Sequence, residues 1–405
     1  MQKPEGKDLP KLIVGPETVR MLELGHPWVI ADRFTKSWPS LAAGTVAALV
    51  NGAGDFVAIA LLDPHDRIVA RILSRRPMLL DRPWLGRQIE KAVALRTQHA
   101  RLEGTSAYRL INGEGDGLPG VTVDRYGDHL LLQLYSEAWR PHFPLLSAEL
   151  QARLASAGIY EKTRPRETRE LGAKGGKKFS RLLCGRPAPG RSVVQENGLN
   201  YLIDLEEGLN TGLFLDQRRN RLDLMERVQG KKVLNLFAYT GAFSVAAAAS
   251  GATQVTSVDV SAPYLDWAQE NFRANRLDPK RHEFLLGDCF AVLATLRKAH
   301  RTFDIIITDP PSFSTTSKSR FTTRQGTAEV VAAALPLLAP GGLLITCSNH
   351  QKVDLADYLK ELRRGALQAG SELRVIQTLG QPEDFPFPVT FPEGRYLKYV
   401  IAVRD

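Results

Sequence analysis

From about residue 199 to residue 405 the chain repeats one pattern: a short aliphatic run, a polar or glycine-bearing break, then a longer stretch with helical spacing. Residues 233–237, 255–259, 283–286, 303–308 and 343–347 read as strands, and 242–250, 262–275, 290–299 and 325–338 as the helices between them. A helix between successive strands lets them run parallel. The pattern therefore predicts an α/β unit with a mostly parallel, doubly wound sheet and leaves no room for an all-helical or all-β fold there. In such a sheet ligands bind beyond the carboxyl ends of the strands. Those ends carry 238–241, Asp259, Asp288, Asp309 and 347–350. Any one of these would be weak; five in order are not.

The first turn, Asn235-Leu236-Phe237-Ala238-Tyr239-Thr240-Gly241-Ala242-Phe243, has one glycine. It lacks the G-x-G-x-x-G that lets a pyrophosphate approach the backbone, and the chain has no G-x-x-x-x-G-K-[ST] loop. This argues against a dinucleotide and against a P-loop nucleotide. Asp259 follows Gly241 by eighteen residues, at the next strand end, where a carboxylate can accept from both ribose hydroxyls. Asp288, in Gly287-Asp288-Cys289, can accept from an adenine amino group. Both acids can instead simply cap the helices that follow. Taken together they predict an adenosine-bearing cofactor without a pyrophosphate, best matched by S-adenosylmethionine. The fourth strand ends in Asp309-Pro310-Pro311-Ser312-Phe313. Two prolines fix the corner and offer no N–H. Its oxygens can face an extruded base on which Phe313 stacks.

The rest of the 405 residues divides into a β-rich module over 1–76 and a small α+β unit over 77–190 with a basic linker, ahead of the α/β unit over 191–405. The net charge is +9. Between Glu161 and Arg191 stand ten basic residues against three acidic ones, a surplus of seven, suited to contacting phosphates. His26, beside Pro27 and Trp28, reads as packing. Three widely spaced cysteines, Cys184, Cys289 and Cys347, exclude a disulfide framework and a four-cysteine zinc site, and no metal is expected. No apolar run reaches the ~18 residues of a membrane span. The first residues lack the apolar core of a secretory signal, so a cytoplasmic location is expected. A homodimer is one assembly open to the chain.

The C-terminal part resembles the class I S-adenosylmethionine-dependent large-subunit (23S) rRNA methyltransferases of the RlmI and RlmK types. The matching stretches are Thr211-Gly212-Leu213-Phe214-Leu215-Asp216-Gln217-Arg218, residues 235–243, Val258-Asp259-Val260-Ser261, residues 309–314 and Pro392-Glu393-Gly394-Arg395-Tyr396-Leu397-Lys398. The N-terminal half is similar to an RNA-binding PUA domain around residues 25–28, followed by a small domain with Gly113-Glu114-Gly115-Asp116-Gly117-Leu118-Pro119-Gly120. The resemblance implies that Gln217 and Arg218 lie near the methionine end of the cofactor. It implies that Phe237, Tyr239, Gly241, Asp259, Val260, Asp288, Cys289 and Asp309 hold the rest, and that 23S rRNA is gripped by the PUA module and the segment 161–191. One departure stands out. The 5-methylcytosine members carry a pattern like T-x-S-C-S, whose cysteine is the nucleophile. Here Thr346-Cys347-Ser348-Asn349-His350 places Asn349 at that position, with Cys347 two residues earlier.

Cytosine C5 is a poor nucleophile and needs a cysteine to add first at C6. Asparagine cannot do this but can pair with a base edge. The RlmK type, whose target is guanine N7, has S-N-N at the corresponding place, and that resemblance implies direct transfer to a guanine-like nitrogen, with Asp309, Pro310, Phe313, Asn349 and Cys347 as the candidate reaction residues. The alternatives are cytosine-C5 methylation through Cys347, a non-catalytic RNA-binding assembly factor, and a small-molecule methyltransferase. The intact series of strand-end acids argues against the second, and the basic N-terminal half against the third.

Overall fold

The computed structural model describes residues 9–163, 179–311 and 326–405 in full, and the backbone alone of 313–315 and 320–325. Most of the basic run, from Arg164 through Lys178, lies outside the described residues.

The N-terminal module is a five-stranded sheet of Lys11–Ile13, Val46–Val50, Phe56–Leu62, Ile68–Ser74 and Trp28–Ile30, in that spatial order. Its core is Leu12, Val29, Leu49, Ala60 and Ala70. The middle unit is a second five-stranded sheet, Ser180–Gly185, Gly158–Lys162, His129–Leu134, Val121–Tyr126 and Ala107–Asn112, backed by helices Arg82–His99 and Phe143–Arg153. Every second side chain of its central strands, Leu130 and Leu132, Val121 and Val123, packs with Trp84, Ile89 and Trp139.

The third unit holds a seven-stranded sheet. Its strands are β1 (Lys232–Leu236), β2 (Gln254–Asp259), β3 (Glu283–Leu286), β4 (Phe303–Thr308), β5 (Leu338–Ser348), β6 (Leu373–Leu379) and β7 (Lys398–Arg404). The spatial order is 3-2-1-4-5-7-6; the first five run parallel, and β7 pairs antiparallel with both β5 and β6. Helix α1 (Arg218–Met225) precedes the sheet, and α2 (Ala242–Ala249), α3 (Ala262–Ala274), α4 (Cys289–Lys298), α5 (Thr323–Ala334) and α6 (Leu355–Gln368) cover it. Central strands are buried on both faces, as a parallel sheet requires: Val233, Val255, Ile305 and Ile345 pack to one side, Leu234, Val258, Ile306 and Leu344 to the other.

The three units are stitched by the segment ahead of β7. Phe391 packs on Trp28 with centroids 4.6 Å apart and on His26 at 5.5 Å, which makes His26 a packing residue. Trp28 Nε1 donates to Glu114 Oε1 at 2.7 Å. Gly115 is required there, because a Cβ would lie 2.0 Å from the Pro386 carbonyl oxygen. Asp384, fully buried, accepts from the Arg109 backbone N–H at 2.9 Å and from the Arg218 guanidinium at 2.6 Å. Removing one partner of a buried pair strands the other charge, at a cost of roughly 3–5 kcal/mol. Asp384→Ala is therefore expected to lose about that much in urea denaturation; a loss below ~1 kcal/mol would mean the pair stabilises nothing.

Candidate active site

Register places the strand ends on one line. Leu236 pairs with Val258 and Thr308, Val258 with Leu285, and Thr308 with Thr346. Phe237, Asp259 and Asp309 each follow directly on that row. A cavity of about 350 Å³ opens there, in the size range of small-molecule sites. Gln217, Phe237, Tyr239, Asp259, Val260, Asp288, Cys289, Asp309, Pro310 and Asn349 all line it. Asp259, Asp288 and Asp309 thus share one rim.

Three expected residues stand elsewhere. Arg218 is fully buried, and its guanidinium donates to Asp384 and, at 2.5 Å, to the Arg101 carbonyl; the first turn of α1 carries it away from the cavity. Gly241 is outside the lining. It adopts φ +74°, where a Cβ would meet the Ala268 Cβ at 2.7 Å, so its role is to let α2 approach α3. Cys347 is fully buried within β5, opposite Tyr399 of the neighbouring strand β7, and is outside the lining, its thiol within hydrogen-bond reach of Gln217. Phe313 lies among the residues whose side chains are not described.

The loop after β1 is held in an unusual backbone. Phe237 and Tyr239 have φ of 60° and 51°, a region costing non-glycine residues on the order of 1–3 kcal/mol. Asp259 fastens it: Oδ2 accepts from Tyr239 N at 2.8 Å and Oδ1 from Ser261 N at 2.9 Å. Thr240 Oγ1 donates to the Gly212 carbonyl at 2.5 Å, and Asn271 Nδ2 to the Thr240 carbonyl at 2.8 Å. The loop aims the Tyr239 ring at Phe214 and Tyr264, 5.3 and 4.6 Å between centroids, building an aromatic wall. Asp288 caps α4, its Oδ1 accepting from Phe290 N at 3.0 Å and Ala291 N at 3.3 Å. Capping and ligand binding are compatible. Each carboxylate has about four lone-pair sites, so Asp259 and Asp288 keep acceptor capacity for the cavity.

The opposite end is acidic. Burial, reinforced by neighbouring Asp216, pushes the Asp309 carboxyl up to about 7, against a hydrogen bond from Gln217 Nε2 to its Oδ2 at 3.1 Å. Burial likewise raises Asp216, whose Oδ2 accepts from Tyr396 OH at 2.8 Å. Arg221 binds Glu196 through two bonds of 2.6 and 2.7 Å. Burial pushes the Cys347 thiol well above its ordinary range, with the Asp309 charge acting in the same direction. Desolvation brings Lys398 down to about 8; its Nζ donates to the carbonyls of His350 at 2.7 Å and Tyr396 at 2.8 Å, tying the Asn349 segment to β7.

Phe214, Asp216, Arg221, Tyr264 and Leu397 also line the cavity and were not singled out from the sequence as site residues. Helical spacing from Gln217 to Arg221 could have found one of them. The others depend on chain crossings that no local pattern encodes.

The donor set suits S-adenosylmethionine. Asp259 can take the ribose hydroxyls, the lining side chains of Val258, Val260, Cys289 and Phe290 are apolar and suited to adenine, and the acids Asp216 and Asp309 suit a sulfonium. The comparisons agree. Residues 109–393 match the S-adenosylmethionine-dependent methyltransferase family model, and residues 12–75 a PUA-like domain model. The Ribosomal RNA large subunit methyltransferase I of Cronobacter sakazakii is 35% identical over 96% of this chain and 98% of its own. That of Yersinia pseudotuberculosis is 34% identical with the same coverage. A crystal structure of a methyltransferase complexed with SAH superposes with a TM-score of 0.87 at 31% identity, covering 98% of this chain and 100% of that one. An S-adenosylmethionine-dependent methyltransferase from Streptococcus mutans gives 0.84 at 30% identity, with the same coverage. The likeness runs along nearly the whole length of these relatives, and the chain belongs to the family of S-adenosylmethionine-dependent methyltransferases that includes the ribosomal RNA large subunit methyltransferase I proteins.

Proposed function

We propose that the chain methylates a base of 23S rRNA in the cytoplasm. The base is turned into the cavity at the Asp309-Pro310-Pro311 corner, and transfer is direct to a guanine-like nitrogen without a cysteine adduct. The observation that carries this reading is the exchange at the end of β5. Asn349 lines the cavity, whereas Cys347 is fully buried, with its thiol held protonated by burial. A buried thiol is a poor nucleophile. The names of the relatives and the PUA-like domain support ribosomal RNA as the substrate class, and the surplus of positive charge over 161–191 supports a grip on its backbone.

When bound, S-adenosylmethionine supplies an electrophilic methyl group. The rest falls to the chain. Asp259 orients the ribose, and Tyr239 with Phe214 and Tyr264 closes one side of the slot. Pro310 and Pro311 hold the corner rigid, so that the Asp309 carboxylate and the Asn349 amide can pair with the edge of the base. Fixing nucleophile and methyl at about 3 Å in line supplies much of the rate.

Asp259→Ala is expected to weaken S-adenosylmethionine binding about thirtyfold or more in calorimetry, since it removes charge-assisted hydrogen bonds and frees a strained loop. Unchanged affinity would remove Asp259 from the cofactor site. The RNA reading is tested by labelled methyl transfer to naked and assembled large-subunit rRNA: incorporation should vanish after nuclease treatment and fall steeply with salt. Incorporation indifferent to both would point to a small-molecule substrate, and absence of any cofactor binding to an RNA-binding scaffold.

A further inference from the structure

Behind the cavity sits a polar side chain that methyl transfer as described does not use. Asn220 lies on α1, three residues after Gln217, fully buried and outside the cavity lining. Its Nδ2 donates to Gln217 Oε1 at 2.6 Å, and Gln217 Nε2 in turn donates to Asp309 Oδ2 at 3.1 Å. The Asn220 carbonyl oxygen is buried and meets no donor among the described residues. Asparagine here makes a single side-chain bond and leaves an acceptor unsatisfied, which costs folding free energy. Leucine, of similar size, would remove that orphaned acceptor but take its donor from Gln217 Oε1, so for the fold alone the two residues are close to even. A buried asparagine that adds so little to folding, joined by one bond to a cavity residue, has its use in the site.

We propose that Asn220 is a positioning residue for methyl transfer, holding the Gln217 amide in the orientation that donates to Asp309. This rests on the reading of Asp309 as the group that faces the base. Turned end for end, the Gln217 amide would set its own oxygen against Asp309 Oδ2, acceptor to acceptor. The shape of a glutamine amide barely opposes that turn; the Asn220 donor does. The other groups facing Asp309 are Asp216 from the turn before α1, Arg221 from α1, Cys347 from β5 and Tyr358 from α6. Arg221 is committed to Glu196 and Asp216 to Tyr396, so Gln217 is the neutral donor to Asp309. Losing its N–H raises the proton affinity of Asp309.

The test compares the full-length protein with Asn220→Leu and Asn220→Ser, in single-turnover transfer to rRNA across pH 6–9 and in calorimetry with S-adenosylmethionine. Both variants should bind the cofactor within about threefold of the parent and transfer about tenfold more slowly at pH 7. Their pH profile should shift upward by roughly one unit, so that the rate recovers at pH 9. Asn220→Leu should melt close to the parent. In an Asp309→Asn background neither substitution should slow transfer further. A profile that stays in place, or a loss that persists undiminished in the Asp309→Asn background, overturns the proposal. If Asp309→Asn alone leaves transfer intact, it is the reading of Asp309 that fails. In the unsubstituted protein a glutamine side-chain amide resonance should titrate with the same midpoint as the rate; no titrating amide counts against the proposal even if a variant fails to fold.

Discussion

Cys347→Ala will leave methyl transfer within about threefold of the parent, whereas Asn349→Ala will slow it about a hundredfold. Cys347 stands outside the cavity lining, behind Gln217 and within hydrogen-bond reach of it, and its thiol, fully buried, is held protonated. Its loss opens a small void and should cost roughly 1–2 kcal/mol of stability, visible as a modest drop in melting temperature. Asn349 lines the cavity, and removing a fixed hydrogen-bonding group at a reacting centre costs on the order of a hundredfold. RNA carrying 5-fluorocytosine should form no covalent complex. If Cys347→Ala abolishes transfer and such RNA traps an adduct, the thiol must reach the base after all, and cytosine C5 becomes the target.

Asp309→Asn should slow the reaction about a hundredfold while making the protein more stable at alkaline pH. The folded-state carboxyl stands at about 7, against 3.8 for a free aspartate. A group with a raised folded-state value binds protons more tightly in the folded chain, so its contribution to stability is full at acid pH and lost as pH rises through 7. Above pH 7 the ionised carboxylate costs the fold up to about 4 kcal/mol. Asparagine removes that cost and still accepts from Gln217. The gain in melting temperature should therefore be largest at pH 8 and disappear towards pH 4. A variant stabilised equally at every pH, or destabilised at pH 8, would show that Asp309 is not held up by its surroundings. Stability gained where activity is lost is the usual mark of a residue strained for function.

Both predictions trace to features of unequal visibility in the sequence. Hydrophobic periodicity showed the five parallel strands, and their carboxyl ends showed Asp259, Asp288 and Asp309, because in this fold a strand end and a ligand rim are the same place. The antiparallel β6 and β7 were not visible, since their order in space departs from their order in the chain. Arg218 and Gln217 are adjacent in sequence and equally polar. Only the turn into α1, and the buried Asp384 contributed from 166 residues further along, decide which of the two faces the cavity. Gly241 shows the same confusion from the other side: a glycine in a cofactor turn reads as a ligand contact, yet the constraint is the approach of Ala268. Asn220 was hidden altogether, because nothing in a helix start announces that its neighbour three residues back needs to be held.

The most direct measurement is mass-spectrometric mapping of 23S rRNA from a strain lacking this protein, before and after incubation with the purified protein and S-adenosylmethionine. One methyl group should be missing, restored on incubation and carried on a guanine nitrogen. A methyl restored at a cytosine C5, or rRNA indistinguishable before and after, would contradict it.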